Sequence, residues 1–515
     1  MDITELIGTL MEKIPKKQEP NISAQKTLLL DKVWQDGMVR VHGTPPVYSE
    51  TVRFSDINYT LLDEDSRRGL LDSFGRLFHL FEDGVHLQMT YAVVPNDTAK
   101  VEAFQGASAD YTEIAAEYSS FLRSRMVGGM KIMRYLTFSI TAGSPKEARS
   151  RLKIIENSVI NALGENHLCA NPAVLNGEER IELYKRMLSV KGPFAWQDYV
   201  TSDLSAADYI APSSLKFENG RWFKIGNRVG AVYFFRMQTS ALGDGTLINL
   251  LRAGTDMTIT FHLDAIERDR ALRMVKRKMT DINMSKIDEQ KKAVRSGYDM
   301  EILPTDLNAY SMGLESMLKS LRNGGQHAYY LTMLLYLTAD NEAQLEEKRQ
   351  KIESIARQRD LPITPLDYQQ EEGLISSLPY GINKVSVKRM VTTSVAAAFV
   401  PFQSKQLCHP GTGALYCGID PITGNIIRID RKRGNNPNGM IFGKPGSGKS
   451  FAAKMEIFHA YLGTDDDIVI CDPEAEYSGM AEALHGQRIR IAQNSEEHIN
   501  PMDIHLDYDE DEPLN

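Results

Sequence analysis

The run Gly443-Lys-Pro-Gly-Ser-Gly-Lys-Ser450 matches G-x-x-x-x-G-K-[ST] at every position. This most narrows what the chain can fold into, because the motif works only as a loop between a strand and a helix. Met440-Ile441-Phe442 supplies a short apolar strand pattern before it, and Phe451 to Tyr461 a helix pattern after it. Gly443, Gly446 and Gly448 let the backbone turn tightly and point its amides inward, where a side chain would block a polyphosphate. The helix N-terminus adds free N–H groups and the positive end of its dipole. Lys449 reaches the β- and γ-phosphate oxygens, and the Ser450 hydroxyl is placed to coordinate Mg²⁺. The expected cofactors are therefore ATP and Mg²⁺, held by Gly443, Lys444, Pro445, Gly446, Ser447, Gly448, Lys449, Ser450 and Phe451, with the Lys444 side chain on the loop exterior.

A second candidate follows about 20 residues later. Ile468-Val-Ile-Cys-Asp472-Pro-Glu474-Ala-Glu476-Tyr477 reads as an apolar strand ending in three carboxylates. Carboxylates at the C-terminal end of a strand face the ligand crevice of an open α/β sheet. Three readings stay open: Glu474 or Glu476 orders water or senses the γ-phosphate beside Lys449; Asp472-Pro473 caps a turn; or the segment is a Walker B strand holding Mg²⁺.

The rest of the composition excludes more than it selects. The chain has 515 residues, 42% apolar and 25% charged, enough for two or three domains. Cys169, Cys408, Cys417 and Cys471 are too few and too scattered for a disulfide framework or a metal-binding pair, so reduced thiols in the cytosol are expected. The start MDITELIGTLMEKI is not a signal peptide, because Asp2 and Glu5 stand where positive charge is needed. No run approaches the ~20 apolar residues of a membrane span. The net charge of −9 hides an asymmetry: residues 464–515 hold 15 acidic and two basic residues, whereas Arg268 to Arg295 carries ten Lys or Arg against four Asp or Glu on a helical pattern. That stretch is either a solvated helix face or a docking surface for nucleic acid, lipid headgroups or a partner.

Ile3, Leu6, Ile7, Leu10 and Ile14 share one helical face, predicting an amphipathic helix and linker over 1–28. Residues 29–385 alternate β-rich runs with helices. Strands are predicted at His86 to Val94, Tyr135 to Ala142, Met257 to Leu263 and Tyr330 to Ala339, with a helix at Glu342 to Arg357. The strand-then-helix unit at 135–159 resembles the one at 330–357, so this α+β region is read as two related subdomains with a helical insertion near 264–300. His79, His86, His167, His262 and His327 show no repeated ligand spacing. Residues 386–515 are read as the start of an α/β P-loop domain, with a hairpin turning at Thr423-Gly424-Asn425.

These residues resemble the conjugal-transfer ATPases of type IV secretion systems. The resemblance rests on Thr392 to Phe402 ending in Val-Pro-Phe, Cys417-Gly-Ile-Asp-Pro-Ile-Thr-Gly, Asn438 through the P-loop, Asp472-Pro-Glu-Ala-Glu-Tyr477 and Ile499-Asn500-Pro501-Met-Asp-Ile504. It implies a RecA-like motor domain behind an N-terminal docking domain and a homo-hexamer that is cytoplasmic and peripheral to the membrane, while the P-loop and the strand-end carboxylates themselves make Lys449, Glu474 and Glu476 the candidate catalytic residues. The implied partners are secretion-channel components at the inner face; direct DNA contact, as in a DNA-pumping relative, is an alternative. Neither the family's Walker B pair nor its arginine finger appears before Asn515, so the chain reads as C-terminally truncated, with hydrolysis uncertain or replaced by a scaffold role.

Overall fold

The computed structural model describes residues 23–57, 59, 62–81, 83–95, 111–125, 130–165, 172–238, 243, 245–295, 305–323, 325–402, 409, 411, 413–420, 426–434, 436–497, 499–500 and 502. The helix predicted over 2–14, Cys169, Cys408, His167, the turn at 423–425 and the acidic run 507–512 lie outside them. The described residues divide into two compact units, one of 23–95, 130–402 and 420, the other of 111–125, 409–419 and 426–502.

The first unit is built on one antiparallel sheet. Strands β1 (Leu30–Val33), β2 (Val39–Val41) and β3 (Val47–Phe54) form a meander, and helix α1 (Glu64–Phe78) leads to β4 (Val85–Pro95). After α2 (Thr112–Arg125), which belongs to the second unit, come β5 (Met130–Thr141), α3 (Pro145–Glu165), β6 (Ala173–Val174) and α4 (Gly177–Met187). The succession then recurs. A second meander, β7 (Leu215–Lys216), β8 (Phe223–Ile225) and β9 (Arg228–Phe235), is followed by α5 (Thr246–Leu251) and β10 (Met257–Ile266). A helix pair, α6 (Arg268–Arg295) and α7 (Thr305–Asn323), then precedes β11 (Ala328–Ala339), α8 (Glu342–Arg357), β12 (Ile363–Pro365) and α9 (Gln370–Ser377). The strands lie in the order β1-β2-β3-β5-β4-β10-β11-β9-β8-β7, with β6 on β3 and β12 on β9, so the order outward from the central β4–β10 pair is the same on either side.

All four predicted strands and the helix at 342–357 are present. The insertion differs from expectation: Asp264 to Ile266 finish β10, and the chain goes out along α6 and returns along α7. Side chains alternate between the two sheet faces. Leu87, Met89, Leu136, Phe138 and Phe261 join one apolar cluster with Phe74 of α1, Leu152 of α3 and Ile352 of α8. Val39, Tyr135, Val232 and Tyr336 join another with Ile181 of α4 and Leu374 of α9.

In the middle of that second face alternation places polar residues instead. Gln88, Thr90, Thr137, Ser139, Thr260 and His262 are all buried. They lie under the end of α9 and the irregular segment 378–383 that follows it, whose buried carbonyls need donors. The Gln88 amide donates to Leu378 O at 2.9 Å, His262 Nε2 to Ser376 O at 2.8 Å, Ser139 Oγ to Gly381 O at 2.5 Å and Arg180 Nη2 to Pro379 O at 2.9 Å. The dispersed histidines also pair in space: His86 Nε2 lies 2.9 Å from His262 Nδ1, and the His79 and His327 rings stack at 4.1 Å. No group of three potential metal ligands occurs among the described residues.

The reading that begins the P-loop domain at 386 differs from the packing. Strand β13 (Arg389–Thr392) pairs with β11, and α10 (Thr393–Ala397) sits on α1. Phe402 packs edge-on against Phe54 and Phe74, while buried Arg134 pairs with Asp56 at 2.5 Å and donates twice to Pro401 O. The Val-Pro-Phe signature is thus core material of the first unit.

Candidate nucleotide site

The second unit centres on α11 (Lys449–Gly463), whose alanines and long unbranched side chains favour a helix. Gly448 caps it at φ 86°, and Gly446 takes φ 77°. Both are left-handed conformations that a residue with a Cβ adopts at a cost of about 1–2 kcal/mol. Ser447 N donates to Lys444 O at 3.1 Å to close the turn. Gly443 is closely approached: a Cβ there would stand 2.4 Å from Ser447 Oγ and 3.0 Å from Lys449 Cγ, so those side chains would have to shift. Around Gly446 and Gly448 the space is open, with no heavy atom within 4 Å of where a Cβ would be. The first helical closure is Ala452 N onto Gly448 O at 2.9 Å, which leaves the amides of the first turn directed out of the helix end.

Lys449 Nζ folds back and donates to Gly443 O at 2.9 Å. This spans the loop and lays the ammonium across its mouth. A polyphosphate entering the open cradle meets outward amides, the dipole of α11 and an ammonium whose carbonyl contact it displaces. Half-buried Ser450, next on the helix, is the hydroxyl available to Mg²⁺, and the donor set fits a nucleoside triphosphate with its metal. The Lys444, Pro445 and Phe451 side chains are exposed, Phe451 at 69%.

The acidic segment lies beside the same helix. Asp472 accepts from Glu474 N at 3.3 Å and Tyr477 N at 2.8 Å, and these bonds, the Tyr477 one foremost, hold its carboxyl below the usual range. Its oxygens are thereby engaged in the turn. Glu474 and Glu476 project into solvent on either side of Ala475, which takes φ 59°. Lys454 Nζ sits 5.1 Å from the Tyr477 ring centroid, tying the turn to α11 about one and a half helical turns from the loop. The short helix α12 (Ser478–Ala483) follows, and Leu484 O accepts from Tyr461 OH of α11 at 3.2 Å.

Two strand expectations are corrected. Neither Met440 to Phe442 nor Ile468 to Cys471 forms a ladder among the described residues, and Met440, Phe442 and Val469 are 82%, 84% and 95% exposed. A parallel strand takes its hydrogen bonds from neighbours on its flanks, and these segments have no such neighbour among the described residues. The hairpin strands β14 (Leu415–Ile419) and β15 (Ile426–Ile429) do pair.

Several supports of α11 gave no sequence signal on their own. His459 is buried, and its Nδ1 accepts from Tyr416 N of β14 at 3.0 Å; burial, reinforced by nearby Arg428, pulls its pKa down to about 4, so it stays neutral. Arg431 pairs with Glu456 at 2.5 Å and Lys432 with Asp466 at 2.5 Å. Helix α2, which the sequence places within 29–385, packs here: Tyr118 meets Phe458 and His459 edge-on at 5.6 and 5.7 Å, and Tyr111 meets Tyr461 at 5.4 Å. The only available hint was the spacing of Glu456 and His459 on one side of α11.

Residues 439–510 match the family described as Helicase HerA, central domain. The second unit carries a P-loop ATPase-type domain. The match begins just before the loop and runs through the acidic segment, and no curated protein matches the chain.

Proposed function

We propose that this chain is an ATP-binding motor subunit of a type IV secretion or conjugative transfer apparatus, coupling ATP binding and hydrolysis to substrate transfer or pilus assembly. The observation that carries the nucleotide part is the loop itself: left-handed Gly446 and Gly448, an open cradle, and Lys449 drawn across it onto Gly443 O. The secretion part is supported by the signatures at 400–402, 417–424, 472–477 and 499–504. In this reading the repeated element order of the first unit reflects two related halves forming a docking domain. Lys449 and Ser450 hold phosphate and Mg²⁺, Glu474 and Glu476 face the γ-phosphate side, and copies assemble as a ring at the cytoplasmic face of a membrane beside channel components. No helix among the described residues is long and apolar enough to cross a membrane.

A second reading, a DNA-pumping ATPase, is favoured by the HerA match over 439–510. Turnover separates the two: duplex DNA raises the ATPase rate of a DNA pump and makes binding steeply salt-dependent, and leaves a protein-transfer motor unchanged. The site itself is tested by Lys449→Ala. Equilibrium titration with a fluorescent ATP analogue should show at least a tenfold loss of affinity with the circular dichroism unchanged. Equal affinity in the two proteins would remove the assignment.

A further inference from the structure

The helix pair α6–α7 is an arm in which, among the described residues, no apolar side chain of α6 beyond Val275 is buried. Its apolar seam is confined to the near end, where Ala271 and Val275 of α6 meet Leu321 of α7 above Ile266 and Ala328. From Thr280 to Lys291 no side chain described is buried, and only Ile282, Lys286 and Gln290 are half-covered. The helix nevertheless runs for 28 residues, about 42 Å at 1.5 Å per residue.

At 3.6 residues per turn, Arg273, Arg277, Met284 and Lys291 fall within about 40° of one another on the side opposite Val275 and Ile282, with Lys276 and Ile287 along the flank. The four basic side chains are exposed, as are Met284 at 53% and Ile287 at 48%. The acidic groups nearby are Asp281 and Asp288, the latter paired with Lys291 at 3.7 Å. Across α6 as a whole, ten Lys or Arg stand against four Asp or Glu in a chain whose net charge is −9. On the neighbouring helix, Met312 is 71% exposed.

We infer that the outward face of α6 is an interfacial docking surface for an anionic lipid bilayer. Two features select that occupant. A basic helix face is attracted to a negative surface within a Debye length, more strongly with each added Lys or Arg. Exposed Met284 in that stripe and Ile287 on its flank gain nothing from a phosphodiester backbone, but bury apolar area at the boundary between headgroups and acyl chains. The inference rests on the membrane-proximal part of the proposed function and assigns it to residues of the first unit.

The test is flotation of the full chain with vesicles of phosphatidylcholine alone or with added phosphatidylglycerol. Binding is expected only to the anionic vesicles and should weaken as salt rises. The variant Arg273→Gln, Lys276→Gln, Arg277→Gln, Lys291→Gln and, separately, the variant Met284→Ser, Ile287→Ser should each lower it at least tenfold, with ATP-analogue binding unchanged. No binding by the parent chain overturns both this inference and the peripheral-membrane reading. Vesicle binding that persists in both variants overturns this inference alone. Duplex DNA binding lost in the charge variant, with vesicle binding indifferent to Met284 and Ile287, assigns the face to nucleic acid instead, and loss of a self-associated species assigns it to a second copy.

Discussion

His262 shows how a single side chain can be dictated by backbone above it. Ser376 O can only accept, so His262 Nε2 carries the proton and Nδ1 is left to accept from His86. Burial, aided by His86, pulls the His262 pKa down to about 3 from 6.5. A base whose folded pKa is depressed binds its proton more readily unfolded, so stability falls as pH drops below 6.5. Between pH 6.5 and 5 the loss amounts to about 2 kcal/mol. Glu50 has the opposite sign: burial raises its carboxyl to about 7 from 4.5, so its contribution is lost as pH rises through that range. His262→Gln keeps an amide donor for Ser376 O without a titrating ring. Urea midpoints at pH 7 and pH 5 should therefore separate less in the variant than in the parent, and an unchanged separation would contradict the assignment.

At the scale of elements, two irregular segments depend on glycines whose positions have steric causes. Gly381 takes φ 78°, and a Cβ there would stand 2.5 Å from Ser139 Cβ on β5. Gly381→Ala should thus lift 378–383 off the polar sheet face and leave its carbonyls short of donors, a loss of about 2–4 kcal/mol by chemical denaturation. Gly448 differs because the space around it is open. Gly448→Ala should cost only about 1–2 kcal/mol in the second unit. It should nonetheless weaken ATP-analogue binding more than that stability change suggests, because the methyl group enters the cradle itself. A variant that binds nucleotide like the parent would mean that the phosphates lie elsewhere.

For the whole molecule, nucleotide is expected to act on one unit. A ligand that binds only the folded form stabilises it by about 2.7 kcal/mol at a hundredfold excess over Kd. Saturating MgATP should accordingly slow amide hydrogen exchange through 443–463 and leave β4, β10 and β11 unchanged; protection confined to the first unit would refute the site. The P-loop was legible because its requirements are local: left-handed glycines, a helix start and a lysine six residues after Gly443 are all written in consecutive residues. The four long strands and the helix at 342–357 were legible too, because apolar runs and 3.6-residue periodicity are local signals. Tertiary structure alone decided the rest, wherever a side chain's partner is distant in sequence. It put Tyr118 of an excursion between β4 and β5 against the P-loop helix, and Val-Pro-Phe into the core of the first unit rather than at the start of the second. It also left Met440 to Phe442 and Ile468 to Cys471 without strand partners among the described residues. Hydrophobic alternation says that a segment can be a strand; only a neighbour with free N–H and C=O groups makes it one.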